Sequence, residues 1–118
     1  MHRMYTEQRP AQQLSIPVRN MRYNVRVWGD PNARNAALPP LVMVHGWMDV
    51  GASYQFVVDA FSDAFAAGRL IIAPDWRGFG HSMPAHAADH YVFADYLADL
   101  DHLIDQFSPN APVDLVGH

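Results

Sequence analysis

Leu41-Val42-Met43-Val44-His45-Gly46-Trp47 is a continuous apolar run that breaks into a histidine and a glycine. Four consecutive apolar residues fit a strand buried on both faces, as in a parallel sheet covered by helices. Glycine directly after such a strand lets the backbone turn sharply and approach a ligand closely. The same signature returns twice. Leu70-Ile71-Ile72-Ala73 is a second apolar run, and it leads into the glycine-rich segment Asp75-Trp76-Arg77-Gly78-Phe79-Gly80-His81-Ser82. Val113-Asp114-Leu115-Val116 leads into Gly117-His118.

Between these runs the period changes. Phe56, Val57, Ala60, Phe61, Ala64 and Phe65 recur at helical spacing, and Gly68 is a helix stop. Phe93, Tyr96, Leu97, Leu100, Leu103, Ile104 and Phe107 form the apolar stripe of a second helix, which Ser108-Pro109-Asn110-Ala111-Pro112 ends. Asp95, Asp99, Asp101 and Asp105 read as its solvated face. Phe56, Phe61, Phe65, Phe93 and Phe107 read as core. Ahead of all this, partial alternation from Leu14 to Trp28 predicts two antiparallel strands, over 14–20 and 22–28, before the turn cluster Gly29-Asp30-Pro31-Asn32.

The order is β-β-β-α-β-α-β. It predicts an α/β fold with a mostly parallel sheet, an antiparallel N-terminal strand pair, flanking helices and right-handed crossovers. Residues 1–13 are polar and expected to be flexible; residues 14–118 are expected to form part of a single domain without repeats. Ligands of such sheets bind beyond the carboxyl ends of the strands. That edge receives all three glycine-containing loops.

Composition narrows the class. Half of the 118 residues are hydrophobic, enough for a folded core. Eight basic against twelve acidic residues give a net charge of −4, and no basic stripe suggests nucleic acid or an anionic membrane as a partner. No cysteine is present, so neither a disulfide framework nor a thiolate metal site is expected. The N-terminus shows no apolar signal core, and no apolar run approaches the ~20 residues of a membrane span. A soluble cytoplasmic protein without cofactor is the expectation. His86, Asp89 and His90 include histidines at i, i+4, but the surrounding stretch lacks the glutamate of a zinc-protease motif, and no metal site is expected there.

The loops carry the chemistry. Acyl transfer builds negative charge on a carbonyl oxygen, and backbone N–H groups aimed at it stabilise that charge. His45-Gly46-Trp47 could provide one such donor; the same residues also fit a plain turn with a buried histidine. Asp75 and Arg77 could pair to hold a tight loop, with Gly78 and Gly80 taking positive φ. Gly80-His81-Ser82 imitates a nucleophile turn, but Pro84 occupies the place of its second glycine and no strand runs into it.

Taken together, His45-Gly46-Trp47-Met48-Asp49, then Asp75 to Ser82, then a strand ending in Gly117-His118, resemble the N-terminal part of an α/β-hydrolase of the serine hydrolase-like branch. The resemblance covers residues 14–118, and Gly117-His118 corresponds to the first two residues of a Gly-x-Ser-x-Gly elbow. It implies an enzyme acting on a small ester-like molecule, with the Trp47 N–H as one oxyanion donor. It also implies that nucleophile, acid and base follow His118, so that the 118 residues alone lack the triad and turn nothing over. Trp47, Met48, Tyr54 and His118 are the expected substrate contacts; His45, Gly46, Asp75, Arg77, Gly78 and Gly80 are the expected structural loop residues. Epoxide hydrolases and haloalkane dehalogenases share this fold, use an aspartate nucleophile, and many carry proline after the His-Gly-x residue. Here that place is Met48, which points toward serine. A non-catalytic binding protein on the same fold is the reading from another class. The residue after His118 discriminates all three, and no sequence feature sets an oligomeric state.

Overall fold

In the computed structural model, which describes residues 4–32, 37–84 and 91–118, the alternating N-terminal segment forms a hairpin of Gln12–Val18 (β1) and Met21–Trp28 (β2). Leu14 faces Val25, Ile16 faces Tyr23 and Val18 faces Met21. The tight link between the strands places Arg19 in the left-handed region at φ 54°. In β2 the buried residues Met21, Tyr23, Val25 and Val27 alternate with Arg22, Asn24 and Arg26, the period-two pattern of a half-buried strand.

The apolar runs become Leu41–Val44 (β3) and Ile71–Pro74 (β4), and the chain ends in Asp114–Gly117 (β6). A two-residue strand, Met83–Pro84 (β5), adds to β2. The sheet order is β1-β2-β4-β3-β6, with β3 parallel to both β4 and β6 and β2 antiparallel to β4. Residues of β3 and β4 supply both faces. Val42 and Ile72 join Val18, Tyr23, Val25, Val27 and Leu103 in one cluster. Leu41, Met43, Ile71 and Ala73 join Trp28, Val58 and Ala66 in the other. Burial on both faces explains why these runs do not alternate.

The first helical stretch differs from the single helix its spacing predicts. A 3-10 turn, Gly51–Tyr54, runs into Gln55–Ala60 (α1), and a separate turn of helix follows at Asp63–Ala66 (α2). The break is at Phe61 and Ser62, both extended, and Ser62 caps α2 by accepting from the Phe65 N–H at 3.2 Å. A serine followed by an aspartate starts a helix better than it continues one. The break also undoes part of the expected core. Gln55 and Val58 hold the inward face of α1, leaving Phe56 60% exposed; Phe65 and Phe93 are also exposed, whereas Phe61 and Phe107 do pack against the core.

The long helix Phe93–Phe107 (α3) carries a larger correction. Asp99 does not lie on a solvated face; it is fully buried. It falls between Tyr96 and Leu103, at i+3 and i−4, on the inward side of the helix. Its carboxylate accepts two hydrogen bonds from buried Arg77, Nε at 2.6 Å and Nη2 at 2.8 Å, one from the Tyr23 hydroxyl at 2.5 Å and one from Arg19 at 3.1 Å. Burial, and then the hydrogen bond to Asp99, push the Tyr23 phenol far above its ordinary pKa, so it stays a donor. Arg77 also donates to the Asn20 side chain at 2.9 Å, and its N–H donates to the Tyr23 oxygen at 3.1 Å. The β1–β2 hairpin, the loop after β4 and α3 therefore meet on one buried carboxylate.

Removing that carboxylate leaves a buried guanidinium without its counter-charge, which typically costs about 3–5 kcal/mol. Asp99→Ala is expected to lose stability in that range by denaturant titration, whereas exposed Asp101→Ala should stay within about 0.5 kcal/mol of the parent. The edge strand gives a second expectation. All four residues of β6 are exposed, Leu115 and Val116 among them, and among the described residues no strand pairs its outer edge. An unpaired apolar edge recruits another strand. Sedimentation of the 118-residue chain should show self-association; a sharp monomer boundary with cooperative unfolding would contradict this.

Candidate active site

Three loops meet beyond the carboxyl ends of β4, β3 and β6, which are neighbours in that order. The central loop leaves β3 at Val44. The Val44 carbonyl accepts from the Tyr54 hydroxyl at 2.6 Å and from the His118 N–H at 3.2 Å. One oxygen thus fixes the end of β3 to the end of β6 and to the turn that follows the loop.

His45 is buried, with both ring nitrogens and its carbonyl oxygen committed. Its Nε2 accepts from the Trp76 N–H at 2.9 Å, and its carbonyl accepts from the Trp76 indole N–H at 2.9 Å. Because Nε2 accepts, the ring proton sits on Nδ1, 2.8 Å from the Gly46 carbonyl oxygen. His45 is therefore an architectural residue that joins the loops after β3 and β4, with no nitrogen free for proton transfer. Gly46 lies against the end of β6: a Cβ there would come 2.7 Å from the His118 carbonyl oxygen. Only glycine lets these two backbones approach this closely.

Trp47 follows, with its side chain 83% exposed. Among the described residues none accepts a hydrogen bond from its N–H. Met48 then takes φ 62°, which reverses the chain. Asp49 secures the reversal, accepting from the Val50 N–H at 2.8 Å and from the Ser53 hydroxyl. These bonds, that of Ser53 foremost, hold its carboxyl below the ordinary range.

The loop after β4 is pinned by Asp75. One carboxylate oxygen accepts from the Gly51 N–H at 2.8 Å; the other accepts from the His81 N–H and the Asn24 amide, both at 3.0 Å. Asp75 and Arg77 thus do not pair with each other as expected: Asp75 holds backbone groups and Arg77 turns away to Asp99. Gly78 and Gly80 do take positive φ, 83° and 53°. At Gly80 a Cβ would lie 2.3 Å from the Asp75 carboxylate, so the wrap of the loop around Asp75 requires glycine. The buried Ser82 hydroxyl donates to the Asp75 carbonyl at 2.6 Å and accepts from the Asn24 N–H at 3.0 Å. Both of its roles are structural.

Between the two loops and the start of α3 lies a pocket of about 340 Å³. His45, Gly46 and Trp47 form one wall, Trp76 and Phe79 another, and Tyr91, Phe93 and Tyr96 a third. Of the expected substrate contacts, Trp47 lines this pocket. Met48 points to solvent, Tyr54 is tied beneath the loop by Val44, and His118 sits beside Gly46. The aromatic wall from Trp76, Phe79, Tyr91, Phe93 and Tyr96 was not anticipated; its signal was the density of rings in the loop and in the first turn of the helix. His86, Asp89 and His90 lie outside the described residues. Among the described residues, no helix is long and apolar enough to cross a membrane.

Comparison with known proteins agrees with this geometry. A model of the α/β hydrolase fold family matches residues 39–118. Epoxide hydrolase A of Mycobacterium tuberculosis is 30% identical over 109 residues, which are 92% of this chain and 31% of that protein. A non-heme chloroperoxidase of Kitasatospora aureofaciens is 38% identical over 79 residues, 67% of this chain and 26% of that protein. Among solved structures, a thioesterase domain from the curacin biosynthetic pathway superposes with a TM-score of 0.72 at 27% identity, covering 92% of this chain and 37% of that one. The chain spans about a third or less of the curated relatives it matches. The strand order, the loops gathered at one sheet edge and the match over residues 39–118 place the chain in the α/β-hydrolase fold family.

Proposed function

We propose that this chain supplies the oxyanion side of a hydrolase active site, and that in the whole protein the nucleophile follows His118. The observation that carries the reading is the Trp47 N–H. It leaves a loop clamped at Val44, His45 and Asp49, has no acceptor among the described residues, and lies one residue from Gly46, which touches His118. A nucleophile on the next residue would attack a carbonyl carbon beside that donor. The developing oxyanion would accept from the Trp47 N–H and from the N–H of the residue after the nucleophile, as in other enzymes of this fold. A histidine and an acid elsewhere in the whole protein would move and orient the proton.

Serine acting on a small ester is the preferred chemistry. Met48 supports it: its φ of 62° is closed to proline, whose ring fixes φ near −65°. The loop is thus built unlike one that carries proline after the His-Gly-x residue. A second reading, an aspartate nucleophile opening an epoxide, is favoured by the 30% identity to an epoxide hydrolase. The absence of cysteine supports the cytoplasm as the compartment for either.

A fluorophosphonate probe separates the two. Applied to the whole protein, it should label a serine in the peptide that continues from Val113–His118, with loss of p-nitrophenyl ester turnover. Absence of label together with epoxide turnover would overturn the serine reading. The donor itself is tested by Trp47→Pro, which removes the N–H and is expected to lower kcat by about 10²–10³. Trp47→Ala keeps the donor and should act mainly on KM. A folded proline variant with normal kcat, checked by circular dichroism, would remove Trp47 from the oxyanion site.

A further inference from the structure

We infer that the pocket beside Trp47 is built to seat an uncharged aromatic ring, so that the non-reacting part of the substrate is an aryl group. This deepens the hydrolase reading and rests on it for the word substrate; the binding claim stands on the pocket alone. Six of its eight described lining residues are Trp, Phe or Tyr. Their packing is specific. Trp47 meets Phe79 with centroids 5.4 Å apart at 77°, Trp76 meets Tyr96 at 5.6 Å and 83°, and the His45 ring meets Phe79 at 5.6 Å and 76°. These are edge-to-face contacts, in which the positive edge of one ring sits on the negative face of the next. A guest ring extends the same pattern. A saturated ring of equal size fills the volume but offers no quadrupole.

Charge decides against the other occupants of aromatic pockets. Among the described residues, no Asp, Glu, Lys or Arg lines this one. Arg77 sits 5.4 Å over the Tyr91 ring and is already held by Asp99. Three polar groups of the wall are already bonded within the protein: the Trp76 indole N–H to the His45 carbonyl, His45 Nε2 to the Trp76 N–H, and the Tyr96 hydroxyl to the Arg77 carbonyl at 3.3 Å. A carboxylate or an ammonium entering here would lose water and gain no counter-charge. The volume, about 340 Å³, lies at the small end of the ~300–1,000 Å³ of ligand sites, room for a compact aryl group.

The test compares binding of 2-phenylethanol, 2-cyclohexylethanol, phenylacetate and phenethylammonium to the 118-residue chain and to the whole protein, by ligand-observed NMR and tryptophan fluorescence. The phenyl alcohol should bind about two- to tenfold more tightly than the cyclohexyl alcohol, the range of an aromatic pair, and more tightly than either ion. Phe79→Leu, which keeps an apolar side chain, should erase the phenyl preference. Phe93→Leu removes an exposed ring, leaves folding intact and should reduce the preference. Equal binding of the two alcohols, or tightest binding of the ammonium, would overturn the inference. In the whole protein, phenyl preference without any ester or epoxide turnover would keep the aryl site and sink the hydrolase reading. Turnover with no preference between phenyl and cyclohexyl esters would do the reverse.

Discussion

Arg77 and Asp99 form a bidentate ion pair with both side chains almost completely removed from water, and three parts of the chain are organised around it. A buried pair of this kind contributes little net stability compared with apolar packing, because desolvation offsets its attraction. Its effect is to make alternatives costly. If the loop after β4 took another path, the guanidinium would leave Asp99 and Asn20, and the Arg77 N–H would leave the Tyr23 oxygen. If α3 rotated by one residue, the carboxylate would lose four donors. The pair therefore fixes the loop that carries Trp76 and Phe79 relative to the helix that carries Phe93 and Tyr96. Those residues form two walls of the aromatic pocket.

The proposed oxyanion side rests on a different device, carbonyl and histidine contacts at the sheet edge. Val44 lends one oxygen to both Tyr54 and His118, and His45 accepts two bonds from Trp76. Each contact ties the loop after β3 to a neighbour on a different side. What emerges is a backbone N–H, that of Trp47, held in place by groups that do not include its own side chain. A preorganised donor of this kind costs no rearrangement when charge develops beside it. Asp49 completes the hold at the far end of the turn.

Much of this was legible in the residues. The runs 41–44 and 70–73 announced strands buried on both faces, and the glycines at 46, 78 and 80 announced the loops between sheet and helix. The rest was not legible, for physical reasons. The stripe of Phe56 to Phe65 has helical spacing throughout, yet Ser62 offers its hydroxyl to Phe65 and starts a second helix, so local capping overrode periodicity. By composition alone Asp99 reads as a solvated residue, because aspartate usually is one. Its position between Tyr96 and Leu103 placed it on the buried stripe, but its partner Arg77 lies 22 residues away, in a loop that no helical period describes. The expected Asp75–Arg77 pair failed for the same reason: each side chain found a partner across the fold.

The account turns on where an oxyanion would rest. The direct measurement is a crystal structure of the whole protein carrying a phosphonate adduct on its nucleophile, in which a phosphoryl oxygen stands in for the tetrahedral oxyanion. The account predicts that oxygen about 2.7–3.1 Å from the Trp47 nitrogen, the distance of a working donor, on the residue directly after His118. A phosphoryl oxygen turned away from Trp47, with that N–H bound to solvent, would contradict it.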